Sequence, residues 1–114
     1  MGLFGKKTAA VVEPVSLDEA KAWLGHHGGG LSLREIGNSY TFASLDLPDP
    51  GDGYYVGQLA LRNGRVAANV GGQDRGYMDE QQLPYVVGTF KKSSGNPVRC
   101  VVSRVDSGWR AYAV

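Results

Sequence analysis

The sequence predicts a mostly-β domain, a small barrel or half-barrel carrying two short helices, and three observations point to it. The pair Asn63-Gly64 stands between two runs rich in strand formers. The segments Val98 to Val105 and Trp109 to Val114 flank a short turn at Asp106-Ser107-Gly108. The remaining runs are separated by turns drawn from a supply of 17 glycines in 114 residues, which keeps every element short.

Taken in order, residues 1–13 show no apolar period and read as a flexible N-terminal segment, with a single domain over 14–114. Ser16 and Glu19 have capping-box spacing, and Leu17, Ala20 and Leu24 recur at helical intervals before Gly25, so a helix is expected from Leu17 to Leu24. His26-His27-Gly28-Gly29-Gly30 reads as a flexible joint, and the partial alternation of Leu31 to Ile36 as a strand. Tyr40 to Leu45 is rich in β-formers and fits a strand, although a helix after Gly37 fits as well. Pro48 to Gly53 is a loop.

Tyr54 to Arg62 and Arg65 to Val70 should pair as a hairpin, because Asn-Gly tolerates the positive φ angles of a type I′ turn. Gly71 to Asp74 turns into a short strand around Arg75 to Met78. Asp79 and Gln82 are spaced to start a brief helix, which Pro84 limits or bends. Ser93 to Pro97 is a turn, and on the strand that follows Val98, Cys100 and Val102 share one face.

The formal net charge of +1 gives the whole chain no field that would draw it to nucleic acid or an acidic membrane, so such a role needs a local patch. One is suggested from Lys91 onward, where Lys91, Lys92, Arg99, Arg104 and Arg110 face only Asp106. A single cysteine rules out an internal disulfide and suits a reducing cytoplasm. No run approaches the roughly 20 apolar residues of a membrane-spanning helix, so no membrane insertion is expected.

Catalytic chemistry is not expected. Cys100 alternates in register with Val98 and Val102 and reads as a small core hydrophobe. His26 and His27 are adjacent, with no cluster to complete a metal site, and no glycine run ends in the Gly-Lys-Ser/Thr of a phosphate loop. No cofactor motif is present. The chemistry that remains is the interleaving of aromatic rings with arginines and lysines, a pattern that can stack bases and follow phosphates, or simply fill and solvate a small sheet.

Three segments bear on that choice: Arg34-Glu35-Ile36-Gly37-Asn38-Ser39-Tyr40-Thr41-Phe42-Ala43-Ser44-Leu45, Arg75-Gly76-Tyr77-Met78-Asp79-Glu80-Gln81-Gln82-Leu83 and Gly95-Asn96-Pro97-Val98-Arg99-Cys100-Val101-Val102. In this order, over residues 31–114, they resemble the HIRAN domain, a small β-barrel module often fused to DNA-remodelling enzymes and also found alone in bacteria. The resemblance implies a barrel related to oligonucleotide-binding folds that holds a single-stranded DNA end. It places Tyr40 at a base-contacting position and Tyr77 at the turn bordering the pocket. The family's Asn-Pro-Tyr-Asp loop has no counterpart, since the hairpin passes from Leu61 through Asn63-Gly64 to Val66 without an insertion.

The expectation is therefore a non-enzymatic, HIRAN-like binding module. Single-stranded nucleic acid is the favoured partner, contacted through Tyr40, Tyr77, Lys91, Lys92, Arg99 and Arg104. The alternative is a protein partner docked on exposed aromatics. Surface layout separates the two: a continuous basic groove suits nucleic acid, and an apolar patch with a polar rim suits protein.

Overall fold

The structure, a computed structural model, describes residues 12–114. Most of the N-terminal segment expected over 1–13 therefore lies outside the described residues. Six antiparallel strands form one curled sheet, a half-barrel: β1 (Asn38–Phe42), β2 (Tyr55–Arg62), β3 (Arg65–Val70), β4 (Gln73–Tyr77), β5 (Val98–Val105) and β6 (Gly108–Ala113), in the spatial order β1-β6-β5-β2-β3-β4. Three helices accompany it, α1 (Leu17–Trp23), α2 (Leu33–Ile36) and α3 (Leu83–Lys92).

Turn chemistry sets the strand pairing. Asn63 and Gly64 both have positive φ, 52° and 80°, and Arg62 faces Arg65 across them, the tight turn expected for that pair. Two-residue turns close β3–β4 at Gly71-Gly72, both again at positive φ, and β5–β6 at Asp106-Ser107, where Asp106 alone of the pair has positive φ. Within β2, a Cβ at Gly57 would collide with the carbonyl of Asn69, so only glycine allows β3 to approach this closely.

Alternation along the strands gives the sheet two faces. On the inner face Phe42, Tyr55, Leu59, Val66, Cys100, Val102 and Trp109 pack together and are capped by Val86 and Phe90 of α3. On the outer face Val101 and Tyr112 lie under Ala20 of α1 and Leu33 of α2. Trp23 fixes α1 there by donating its indole N–H to the Gly57 carbonyl at 2.9 Å. Both sheet edges are partly blocked: the Asp46 N–H bonds the Arg75 carbonyl on β4, and the Thr41 N–H of β1 bonds the Gln82 side chain.

The structure corrects three of the local expectations. The strand expected over Leu31 to Ile36 is the capped helix α2, in which Ser32 accepts from the Glu35 N–H while the Glu35 carboxylate accepts from the Ser32 N–H at 2.9 Å. The spacing Ser-Leu-Arg-Glu carried that signal, and it outweighs a weak alternation. Asp79 makes no side-chain cap, and residues Glu80–Gln82 form a single 3-10 turn. Pro84 does not limit a helix but begins one, because in the first turn of α3 its missing N–H has no intrahelical partner to lose.

Candidate binding surfaces

The residues expected to hold nucleic acid do not share a surface. Tyr40 is 1% exposed: its ring is part of the inner core, and its hydroxyl shares a 2.8 Å hydrogen bond with the Thr89 hydroxyl of α3. The stacking role expected of it needs a ring face that the core already covers. Lys91 and Lys92 project from the last turn of α3. Arg99 and Arg104 are five positions apart on β5, about 16 Å along the strand, and side chains an odd number of positions apart leave opposite faces. Arg99 belongs to the outer face with Val101, and Arg104 to the inner face with Cys100 and Val102.

Tyr77 and Arg99 do share the outer face, within a surface whose polar groups are largely occupied by one another. The Arg65 guanidinium lies 3.9 Å over the Tyr77 ring, and that of Arg99 lies 4.4 Å over Trp23 while donating to the Trp23 carbonyl at 3.2 Å. Arg62 grips Asp74 with two hydrogen bonds, of 2.9 and 3.3 Å, and Asn69 donates to the same carboxylate at 2.8 Å. Those bonds, Arg62 first and Asn69 second, hold the Asp74 carboxyl below its ordinary pKa. The buried Ala60 and Ala67 belong to this same side of β2 and β3. A base approaching Tyr77 or Trp23 would have to displace a guanidinium already stacked there.

A different surface opens on the other side of the hairpin. Leu83, Val86, Val87 and Phe90 recur at helical spacing along α3. Val86 and Phe90 enter the core, whereas Val87 stays 47% exposed. Across from it Leu61, at the end of β2, is 44% exposed. Between α3 and the hairpin tip runs a groove of about 500 Å³, lined by Leu61, Val66, Leu83, Val87 and Phe90, with Lys91 at one end. Among the described residues no acidic side chain lines it. Ending the helix at Pro84 hid this stripe from the sequence reading. The signal was the spacing of those same four residues, read onward from Pro84 as a helix start.

A second cavity, of about 510 Å³, lies between α1, α2 and the end of β5 and carries mixed character, with Leu17, Ser32, Arg34, Asp52 and Tyr54 among its lining. The groups with displaced pKa values line neither cavity. Burial pushes the Cys100 thiol up to about 12, and burial also raises the Tyr55 phenol, which donates to the Pro48 carbonyl at 2.8 Å. Glu35 is lowered by its capping bonds to Ser32. Among the described residues there is no group of three His, Cys, Asp or Glu placed to hold a metal ion, and no helix long and apolar enough to cross a membrane. Fold and surfaces together define a curled antiparallel half-barrel with an open apolar groove. Comparison with family models, with curated proteins and with solved structures finds no match for the chain.

Proposed function

We propose that the protein is a non-enzymatic binding module that docks a protein partner in the groove between α3 and the β2–β3 hairpin. The observation that carries this reading is the groove itself: aliphatic side chains left half-exposed along one cleft, with a lysine at its end. Such a cleft gains stability only by taking apolar side chains out of water, and its charge suits a partner segment with an acidic neighbour. The competing reading, single-stranded nucleic acid on a HIRAN-like barrel, needs Tyr40, Tyr77 and the basic residues on one surface. Tyr40 in the core and the opposed Arg99 and Arg104 weigh against it.

Random peptides displayed on phage and panned on the wild-type protein test the reading directly, with a Leu61→Asp variant as the counter-target. Peptides with apolar anchors should be enriched, and they should lose about tenfold or more in affinity on the variant, a difference of about 1.4 kcal/mol. Selected peptides that bind both proteins equally would overturn the groove as the site. Tight binding of single-stranded oligonucleotides with a steep salt dependence would restore the nucleic-acid reading instead.

A further inference from the structure

The cavity between α1, α2 and the end of β5 rests on the outer face of the sheet, and its floor contains polar groups that the fold leaves without partners. On that face β5 presents Val101, Ser103 and Val105, so a hydroxyl interrupts a run of valines. Ser103 is 8% exposed, and so is Tyr112, its diagonal neighbour across the β5–β6 register. Among the described residues neither hydroxyl has a hydrogen-bond partner, and the polar atom that is both sealed and unpartnered is His26 Nε2. The Ser103 and Tyr112 hydroxyls therefore still reach solvent, and the cavity is the space they line. Its walls are pinned before any ligand arrives. Val15 and Tyr54 exchange backbone hydrogen bonds of 2.7 and 3.0 Å, the α2 capping box holds Ser32 to Arg34, and the Gly53 N–H closes the Asp52 loop onto the Pro50 carbonyl at 3.0 Å. A Cβ at Gly53 would collide with Pro14, so glycine lets this loop lie against the chain entering α1.

We propose that this cavity binds a small zwitterion, an α-amino acid or a dipeptide, with its carboxylate toward Arg34, its ammonium toward Asp52 and its polar atoms bonded by the Ser103 and Tyr112 hydroxyls. Arg34 belongs to α2 and Asp52 to the loop before β2, so the cavity has one charge of each sign on separate walls. Among the described residues the ion pair is Arg62 with Asp74, so Arg34 and Asp52 do not neutralise each other. Arg104 also lines the cavity, but its guanidinium lies on the other face of the sheet, 5.3 Å over the Trp109 ring, and adds no second cation. A ligand of single charge would leave one wall unmatched, and a hydrocarbon would leave the floor hydroxyls unsatisfied. Leu17 and Leu33 offer apolar surface to the ligand's side chain. The volume, about 510 Å³, is that of a small-molecule site. The proposal is independent of the groove beside α3, which opens on the other side of the sheet.

Free L-amino acids and a set of dipeptides, each added at up to about 10 mM, provide the probes. In two-dimensional amide NMR spectra at least one of them should shift the signals of Arg34, Asp52 and Ser103 and leave those of Leu61 and Val87 in place. Response to free amino acids names the smaller source of the zwitterion, and response to dipeptides alone names the larger. Blocking either charge, with the N-acetyl or the amide derivative of the same ligand, should weaken binding about tenfold or more. Ser103→Val should hold or raise the melting temperature, because valine continues the apolar run and removes an unpartnered hydroxyl, and should still weaken the ligand about tenfold or more. Arg34→Gln, at an exposed position, should lower affinity to a similar degree with the melting temperature unchanged. The site is overturned if no probe shifts the cavity signals, if the blocked derivatives bind as well as the free ligand, or if affinity is unchanged in a folded Ser103→Val or Arg34→Gln protein.

Discussion

The outer face around β4 and the groove beside α3 sit on opposite sides of one hairpin, and both combine apolar or aromatic groups with basic ones. They differ in what has been left unmatched. On the outer face Arg62 has Asp74, Arg65 has Tyr77 and Arg99 has Trp23, so the polar groups are matched by neighbours in the fold. Beside α3, Leu61 and Val87 face solvent across a cleft that Lys91 lines with no acidic side chain among the described residues. An abundance of rings and cations says little about binding until their partners within the chain are known; surface that stays unmatched after folding is the more informative signal.

Tyrosine truncations should show the largest contrast. Tyr40→Ala removes a core ring and its bond to Thr89, and should cost about 3–5 kcal/mol in urea unfolding. Tyr77→Ala removes an exposed ring under one guanidinium and should cost no more than about 1 kcal/mol. Similar costs for the two would erase the distinction between core and outer face.

Next comes Cys100, fully buried on the inner face. Cys100→Ala should cost on the order of 1 kcal/mol through lost packing. In the native protein the thiol should react with a thiol reagent only at the rate of opening, because burial holds its pKa near 12. Rapid labelling of folded protein would show that the inner face is open. Leu61→Asp should have a smaller effect on stability, within about 0.5 kcal/mol, since an exposed strand end loses little packing; a loss of several would mean that Leu61 belongs to the core and not to a docking surface.

The smallest effect is expected at the Arg62–Asp74 pair, which is partly solvated and screened. The folded pKa of Asp74 lies below its ordinary 3.8, so its stabilising contribution is present above that value and is lost as pH falls through the lowered folded value. Asp74→Asn should therefore lower the melting temperature slightly at neutral pH, with the difference from wild type vanishing in strong acid and shrinking in high salt. A difference that persists in acid would place the effect in packing and not in charge.

Much of the strand layout was legible because it is local. Asn63-Gly64 selects its turn from two residues, and the β-rich runs on either side have one register compatible with it. The Ser16–Glu19 box likewise marks α1 where it was expected, ending at Trp23. The reading failed where two local signals competed. At Leu31 to Ile36 a capping box overrode apparent alternation, and at Pro84 one residue serves as a helix stop or a helix start depending on its position in the turn.

The sequence by itself determined a turn-dominated, mostly-β domain with its cysteine on the core side of a strand, because each of these follows from spacing between near neighbours. Only the tertiary structure decided which rings and charges remain free. Tyr40 is placed in the core by its cross-strand contact with Ala111 and by Thr89, 49 positions later, while Arg99 is occupied by Trp23, 76 positions earlier. Contacts across such distances depend on how the sheet curls and where the helices land on it, and neither is written in any short stretch of the chain.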